Sequence, residues 1–297
     1  MHDREYLKGF VDKYIEALEK KDFSDLPVSE GYKYSENCEL IRLGEGIITY
    51  PVKETVRLEI YDVKTGQAAV QSVLDNGEKL IMFFLRLKIK DDKIIEIETL
   101  VNPGDKGVPI PFDPANITEI SDHWKRSIRP AERDSRFKLM DVADGYWRAM
   151  ETEGTADYVR PAIMPDTERY ENGMHTTNEV MPDFSEIFGD SAPLFVPAYP
   201  FPDKGPRTAL ADFDHGTWTG TKVADRRYPV IDEERGIIVS LARLVSLKED
   251  LSKRPDAGPA PYVAEFFAVT RGWIREVHVV IAGVKPSVPT PWPLEIF

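Results

Sequence analysis

The feature that most constrains the fold is that the chain repeats itself. "RYENGMHTTN" (169–178) has a looser echo in "KYSENCELI" (33–41), and each follows an amphipathic stretch. "YDVKTGQAAVQSVL" (61–74) runs against "YPVIDEERGIIVSLARL" (228–244), and "DKIIEIETLV" (92–101) against "GWIREVHVVI" (272–281). A period of about 130 residues is too long for a solenoid and fits two copies of one domain. The expected division is 1–102 for the first domain, 103–134 for a linker and 135–297 for the second domain.

Local patterns fill in each copy. In "REYLKGFVDKYIEALEKKD", Leu7, Phe10, Val11, Tyr14 and Leu18 fall on one face at helical spacing. Leu139, Val142, Tyr146 and Met150 do the same in "RFKLMDVADGYWRAMETEG", with Ser135 or Asp134 as the N-cap. "KLIMFFLRLKIK" and "KIIEIETLV" flank "DD", and "YVAEFFAV" and "WIREVHVVIAGV" flank "TRG", so each copy ends in a strand hairpin. The prolines at 103, 109, 111, 114 and 130 forbid a long element in the linker, apart from a short helix near Ile117–Lys125. The second copy carries an insertion at 181–206 with six prolines and five aromatic residues. Such a segment either packs on the domain body or forms a lid over a pocket.

Composition narrows the class. A net charge of -13 disfavours nucleic acid and anionic membrane surfaces as partners. Cys38 is the single cysteine, so no internal disulfide can form. The N-terminus has no apolar core typical of a signal peptide, and no apolar run approaches membrane-spanning length, so a cytoplasmic protein is expected. No P-loop, dinucleotide fingerprint or nucleophile elbow is present, and no cofactor is expected.

A long first helix, a short polar strand and an antiparallel meander resemble the SnoaL-like, or ketosteroid-isomerase-like, superfamily of the nuclear-transport-factor-2-like fold. The residues carrying this are "DKYIEALEKKDF", "RYENGMHTTN" and the terminal hairpins, and the likeness extends over nearly the whole chain as a tandem arrangement. It implies an α+β class: two cone-shaped domains, each a helix plus a curved sheet, packed through the outer faces of their sheets. Steroid isomerases of this superfamily set a Tyr from the first helix, a proton-moving carboxylate and a second, protonated acid in an apolar pocket. Tyr14 and Tyr146 match the Tyr, Glu36 and Glu171 the base, and Glu265 the protonated acid. In the first copy Phe84 stands at that last position, so the second copy is the expected working site.

The resemblance thus implies a cofactor-independent lyase or isomerase acting on a small hydrophobic carbonyl or hydroxyl compound. The alternative is a non-catalytic binding or scaffold protein of the same fold, which an all-apolar pocket would favour. Expected catalytic residues are Tyr146, Glu171, His175, Glu265 and His215, with His175 a candidate base because an imidazole titrates near neutrality. Arg169, Asn172, Trp147, Trp218 and Phe267 are the expected substrate contacts. The Glu-Asn phrase has a second reading as a turn device, since Asn tolerates left-handed backbone. Glu265 faces either the pocket or solvent, depending on the pleat. His215 lies near Asp212 and Asp214 without a recognised metal-ligand spacing, so no metal is expected. His278 should face outward if Val277 and Val279 face the cone. Pairing of two chains as a homodimer is compatible with this fold.

Overall fold

A computed structural model describes residues 3–104, 111–178, 207–214, 216–246, 259–285 and 288–293. The insertion at 181–206 and His215 lie outside the described residues. Helix α1 (Arg4–Lys20) begins where the Asp3 side chain accepts the Tyr6 amide at 2.8 Å, and ends at Lys21 in the left-handed conformation. It leads into β1 (Val28–Glu36), β2 (Glu39–Leu40), β3 (Lys53–Asp62), β4 (Gln67–Asp75), β5 (Leu80–Lys90) and β6 (Lys93–Asn102). Among its described residues the linker holds one α-helical turn, α2 (Asp122–Lys125), shorter than the sequence suggests, flanked by 3-10 turns at Pro114–Asn116 and Pro130–Glu132. Then α3 (Arg136–Thr152) restarts the pattern, followed by β7 (Ile163–Glu171), β8 (Met174–His175), β9 (Thr221–Asp232), β10 (Ile237–Ser246), β11 (Ala260–Thr270) and β12 (Trp273–Val284). Ser135 is the α3 cap, accepting the Lys138 amide, while Asp134 accepts the Gly272 amide instead.

The two six-stranded sheets have the same order, β2-β1-β6-β5-β4-β3 and β8-β7-β12-β11-β10-β9. In each, the first long strand pairs parallel to the last, and the rest is an antiparallel meander. Each half is therefore a helix laid on a six-stranded sheet, and the chain is a tandem pair of nuclear-transport-factor-2-like α+β domains. The duplication reaches individual backbone contacts. Gly66 and Gly236 both sit at positive φ (67° and 68°), and each carbonyl accepts the amide of Ile89 or Val269 across the meander. A Cβ at either glycine would run into the carbonyl oxygen of that same partner.

Burial separates three cores. One lies between α1 and its sheet, built on Leu7, Val11, Tyr14, Leu85 and Ile97. A second lies between α3 and its sheet, built on Leu139, Tyr146, Trp147, Phe267 and Val277. The third joins the outer faces of the two sheets, where Leu58, Met82 and Phe84 meet Val239, Tyr262 and Phe266. Phe84 and Phe266 touch edge to face at 5.9 Å. The expected packing through outer faces is what the chain adopts. It is closed by reciprocal ion pairs: Arg4 on α1 reaches Asp232 on the far sheet, and Arg136 on α3 reaches Asp62, both at 2.7 Å. These are equivalent positions of the two copies, so the joint has the self-complementary form of a two-fold dimer interface. Between the sheets, Glu98 is buried with Arg86 at 2.8 Å and with Arg227 from the second copy.

The register corrects one match. Thr270 and Lys90 open equivalent turns, which sets Glu265 level with Leu85 rather than Phe84. Phe84 belongs to the joint between sheets and Leu85 to the helix-side core, because alternate strand residues face opposite ways. The first copy still lacks a strand acid at this place.

Candidate functional site

Directly opposed strand residues share a face, so the ladder places the second copy's polar groups. Glu265, Val279 and Glu171 form one row across β11, β12 and β7, and Phe267, Val277 and Arg169 form the next. Val277, Val279 and Phe267 belong to the core beneath α3, so both rows face the helix. Tyr146 descends onto them from α3, ringed edge to face by Trp147, Phe213 and Phe267 at 5.1–5.4 Å. The Trp147 indole donates to Ser240 at 2.8 Å, which fixes the neighbouring ring.

Four of the sequence-expected residues, Tyr146, Glu171, Glu265 and Arg169, thus converge, with Trp147 and Phe267 as their apolar surround. Glu265 is 3% exposed. Burial pushes its carboxyl up to about 8, the nearby Glu171 adds to that push, and Arg169 and the Tyr146 hydroxyl oppose it. Burial and Glu265 likewise raise Tyr146 well above the ordinary phenol range. Glu171 keeps 15% side-chain exposure and stands 3.8 Å from Arg169 Nε. The site therefore holds two carboxyls of unlike surroundings, one sealed beside a phenol and one nearer water.

Arg169 is the group whose neighbours the sequence did not disclose. Its Nε donates to Thr176 at 3.0 Å and its Nη2 to Asp212, which also pairs with Arg207 Nε. Burial pushes Asp212 up and Arg169 pulls it back; burial and the nearby Arg169 charge bring Arg207 down to about 9. Asp212 comes from a short helix, Ala209–Asp214, that packs on β7. A buried arginine requires a counter-ion. That was the available signal, but nothing in sequence spacing joined 212 to 169.

Other expected residues lie elsewhere. His175 is not beside Glu265: it stacks on Tyr170 at 4.7 Å and 13°, and pairs with Glu168. Tyr170 and Glu168 alternate with Arg169 and Glu171, so this imidazole is on the outer face. The physical reason is the two-residue β8 register, which sets His175 opposite Tyr170. His278 faces outward as expected, against Trp124 at 5.2 Å and Gln71 of the first copy. Asn172 is not a pocket residue. At φ 45° its amide donates to Pro111 and Ile281 carbonyls, and its carbonyl accepts the Ile281 amide at 2.8 Å. Asn37, at φ 47°, clamps Val101 in the same two-way manner. The Asn of the repeated phrase is a turn device in both copies, whereas its Glu points to the helix side. Trp218 is buried in the α3 core, its amide donating to Glu153. The sequence-stated candidate His215 lies outside the described residues.

The first copy offers a neutral counterpart. Tyr14 and Tyr34 hydroxyls pair at 3.0 Å where the second copy has Tyr146 and Arg169. Glu36 is buried beneath the Gly46–Ile47 backbone, accepts the Ile47 amide at 2.6 Å, and is pushed up to about 7 by burial.

Residues 132–281, half of the chain, match a family model described as a domain of unknown function (DUF8021). No curated protein matches the sequence. Solved structures similar to single halves include a nuclear-transport-factor-2-like protein of unknown function from Cytophaga hutchinsonii, at 14% identity and TM-score 0.27, covering 33% of this chain and 90% of that one. A steroid delta-isomerase from Pseudomonas aeruginosa has 12% identity and TM-score 0.26, covering 33% and 81%. An epoxide hydrolase from M. tuberculosis has 16% identity and TM-score 0.25, covering 33% and 84%.

Proposed function

This chain belongs to the family of that domain of unknown function, and since the family's description carries no chemistry, we propose a function from the second domain's side chains. The reading is a cofactor-independent acid–base enzyme, of lyase or isomerase type, acting on a small hydrophobic carbonyl compound. The observation that carries it is the sealed Glu265–Tyr146 pair level with the more exposed Glu171. Pairs of carboxyls driven apart by environment are how acid and base roles are divided at neutral pH.

In this reading Glu171 starts charged and takes a proton from the carbon next to the carbonyl. The C–H electron pair moves into the enolate, and the oxygen gains the negative charge. Tyr146 and the protonated Glu265 donate to that oxygen. Return of the proton at another carbon gives an isomer; its transfer from Glu171 to a β-hydroxyl, which leaves as water as the enolate electrons form the C=C bond, gives dehydration and restores the carboxylate. A positioned base is worth roughly 10²–10⁴-fold, and one oxyanion donor about 10²–10³-fold.

The test is proton–deuterium exchange at the α-carbon of aryl ketones, followed by nuclear magnetic resonance in deuterated buffer. Wild type should exceed the buffer rate, Glu171→Gln and Tyr146→Phe should lose most of that excess, and His175→Ala should keep it. Equal rates in wild type and both site variants, with unchanged circular dichroism, would overturn the enzyme reading in favour of a binding protein.

A further inference from the structure

The Arg169 guanidinium is 3% exposed, yet its Nη1 is buried without a hydrogen-bond partner. Its other nitrogens are fixed by Thr176 and Asp212. A buried, unsatisfied donor on a charged group is costly to keep, which argues that something outside the described protein atoms satisfies it. The first copy shows the contrast. There the equivalent Tyr34 closes on Tyr14 and leaves no such charge. Asp212 is shared between Arg169 and Arg207, so two guanidiniums meet one carboxylate. Glu171, at 3.8 Å from Nε, is the nearest further negative group, and it is the proposed base.

We propose that the second domain takes a ligand bearing an oxyanion, a carboxylate or the enolate of an acidic 1,3-dicarbonyl, with that oxygen seated on Arg169 Nη1. This rests on the preceding reading of the site and narrows its substrate class from any hydrophobic carbonyl compound to an acidic one. The planar fork of arginine suits such oxygens in a way a neutral hydroxyl does not. The charges also agree. As Glu171 accepts a proton, its negative charge passes to the oxygen held by Tyr146 and Glu265, so the site's net charge is unchanged through the step while Arg169 keeps the ligand's own oxyanion.

The experiment compares 2-naphthoate with neutral 2-naphthamide, by titration calorimetry with the full chain. Wild type should favour the anion by roughly tenfold to a hundredfold, the range a charge-assisted hydrogen bond supports. Arg169→Gln should erase that preference, and Arg169→Lys should retain part of it, which a merely structural role would not predict. Circular dichroism of each variant shows whether it is folded. If Arg169→Gln does not fold, the wild-type ratio and Arg169→Lys decide. Equal binding of both probes to wild type, or an anion preference intact in folded Arg169→Gln, would overturn the inference and leave the enzyme reading standing. Binding of neither probe at millimolar concentration would overturn both.

Discussion

Replacing Glu265 with glutamine removes one titration from the sealed site and nearly nothing else. The amide has the carboxyl's volume and can still meet the Tyr146 hydroxyl. In the wild type, burial raises this carboxyl from the ordinary 4.5 to about 8. Between those values the folded chain holds a proton that the unfolded chain has released. Stability from this group is therefore full below about pH 4.5 and falls as pH rises to about 8. A rise of that size corresponds to on the order of 5 kcal/mol, and relaxation around the site brings the expected effect to about 2–5 kcal/mol. Glutamine does not titrate, so the variant escapes the loss. Glu36 and Glu153, both pushed up to about 7 by burial, bias the pH curve in the same direction, but they are present in both proteins and cancel in the difference. The assay is urea unfolding from pH 5 to 8.5. The stability of Glu265→Gln minus that of wild type should climb steadily across this range. Parallel curves would show that Glu265 titrates normally and that the site is open to water, which would refute the reasoning.

Other expectations follow from single contacts. Asn172→Ala should cost about 2–4 kcal/mol in urea unfolding, because it strips the Ile281 clamp and strains a left-handed residue; a change under ~0.5 kcal/mol would show the clamp to be dispensable. Gly236→Ala should lower stability by about 1–3 kcal/mol, since its Cβ meets the rigid Val269 carbonyl; an unchanged midpoint would contradict that geometry. The Cys38 thiol is 5% exposed and pushed up to about 12 by burial, so it should resist Ellman's reagent until the chain is unfolded. Prompt labelling of the native protein would place it wrongly.

Much of this fold was legible because its signals were local. The helical spacing of Leu7, Val11 and Tyr14, the hairpin turns and the repeated glycine each follow from residues close in sequence. What failed was register and facing. The sequence match of Phe84 to Glu265 counts back from the last turn of each copy, and one residue of slip exchanges the two faces of a strand. Only the ladder from the Lys90–Lys93 turn shows that Leu85 is the true equivalent. His175 misled for a related reason. It follows the Glu-Asn phrase as a base might, but a two-residue strand folds it back over Tyr170. Edge strand β3 was hard to see, since Arg57 and Glu59 make its helix-side face polar: Arg57 reaches Asp12 on α1 and pairs with Glu54 and Glu59. Asp212 was invisible as a partner because ion pairs between distant segments leave no spacing signature.

The two copies differ in the polar groups beneath their helices, and the differences act together. Tyr34 becomes Arg169 and Leu85 becomes Glu265, while Tyr14/Tyr146 and Glu36/Glu171 are kept. Each new charge depends on a partner of its own. A buried arginine without Asp212 would leave an uncompensated charge costing several kcal/mol. A buried Glu265 without the Tyr146 hydroxyl would lose its partner. The first copy instead resolves its polar groups internally, hydroxyl to hydroxyl and Glu36 to backbone. Its outer face meanwhile carries the Arg86–Glu98 pair that receives Arg227 from the second copy. The outer faces that could join two chains are thus already joined within one. That frees the helix side of the second domain to hold charges that would serve no purpose in a self-satisfied core, and it is there that Arg169 keeps an unpaired donor.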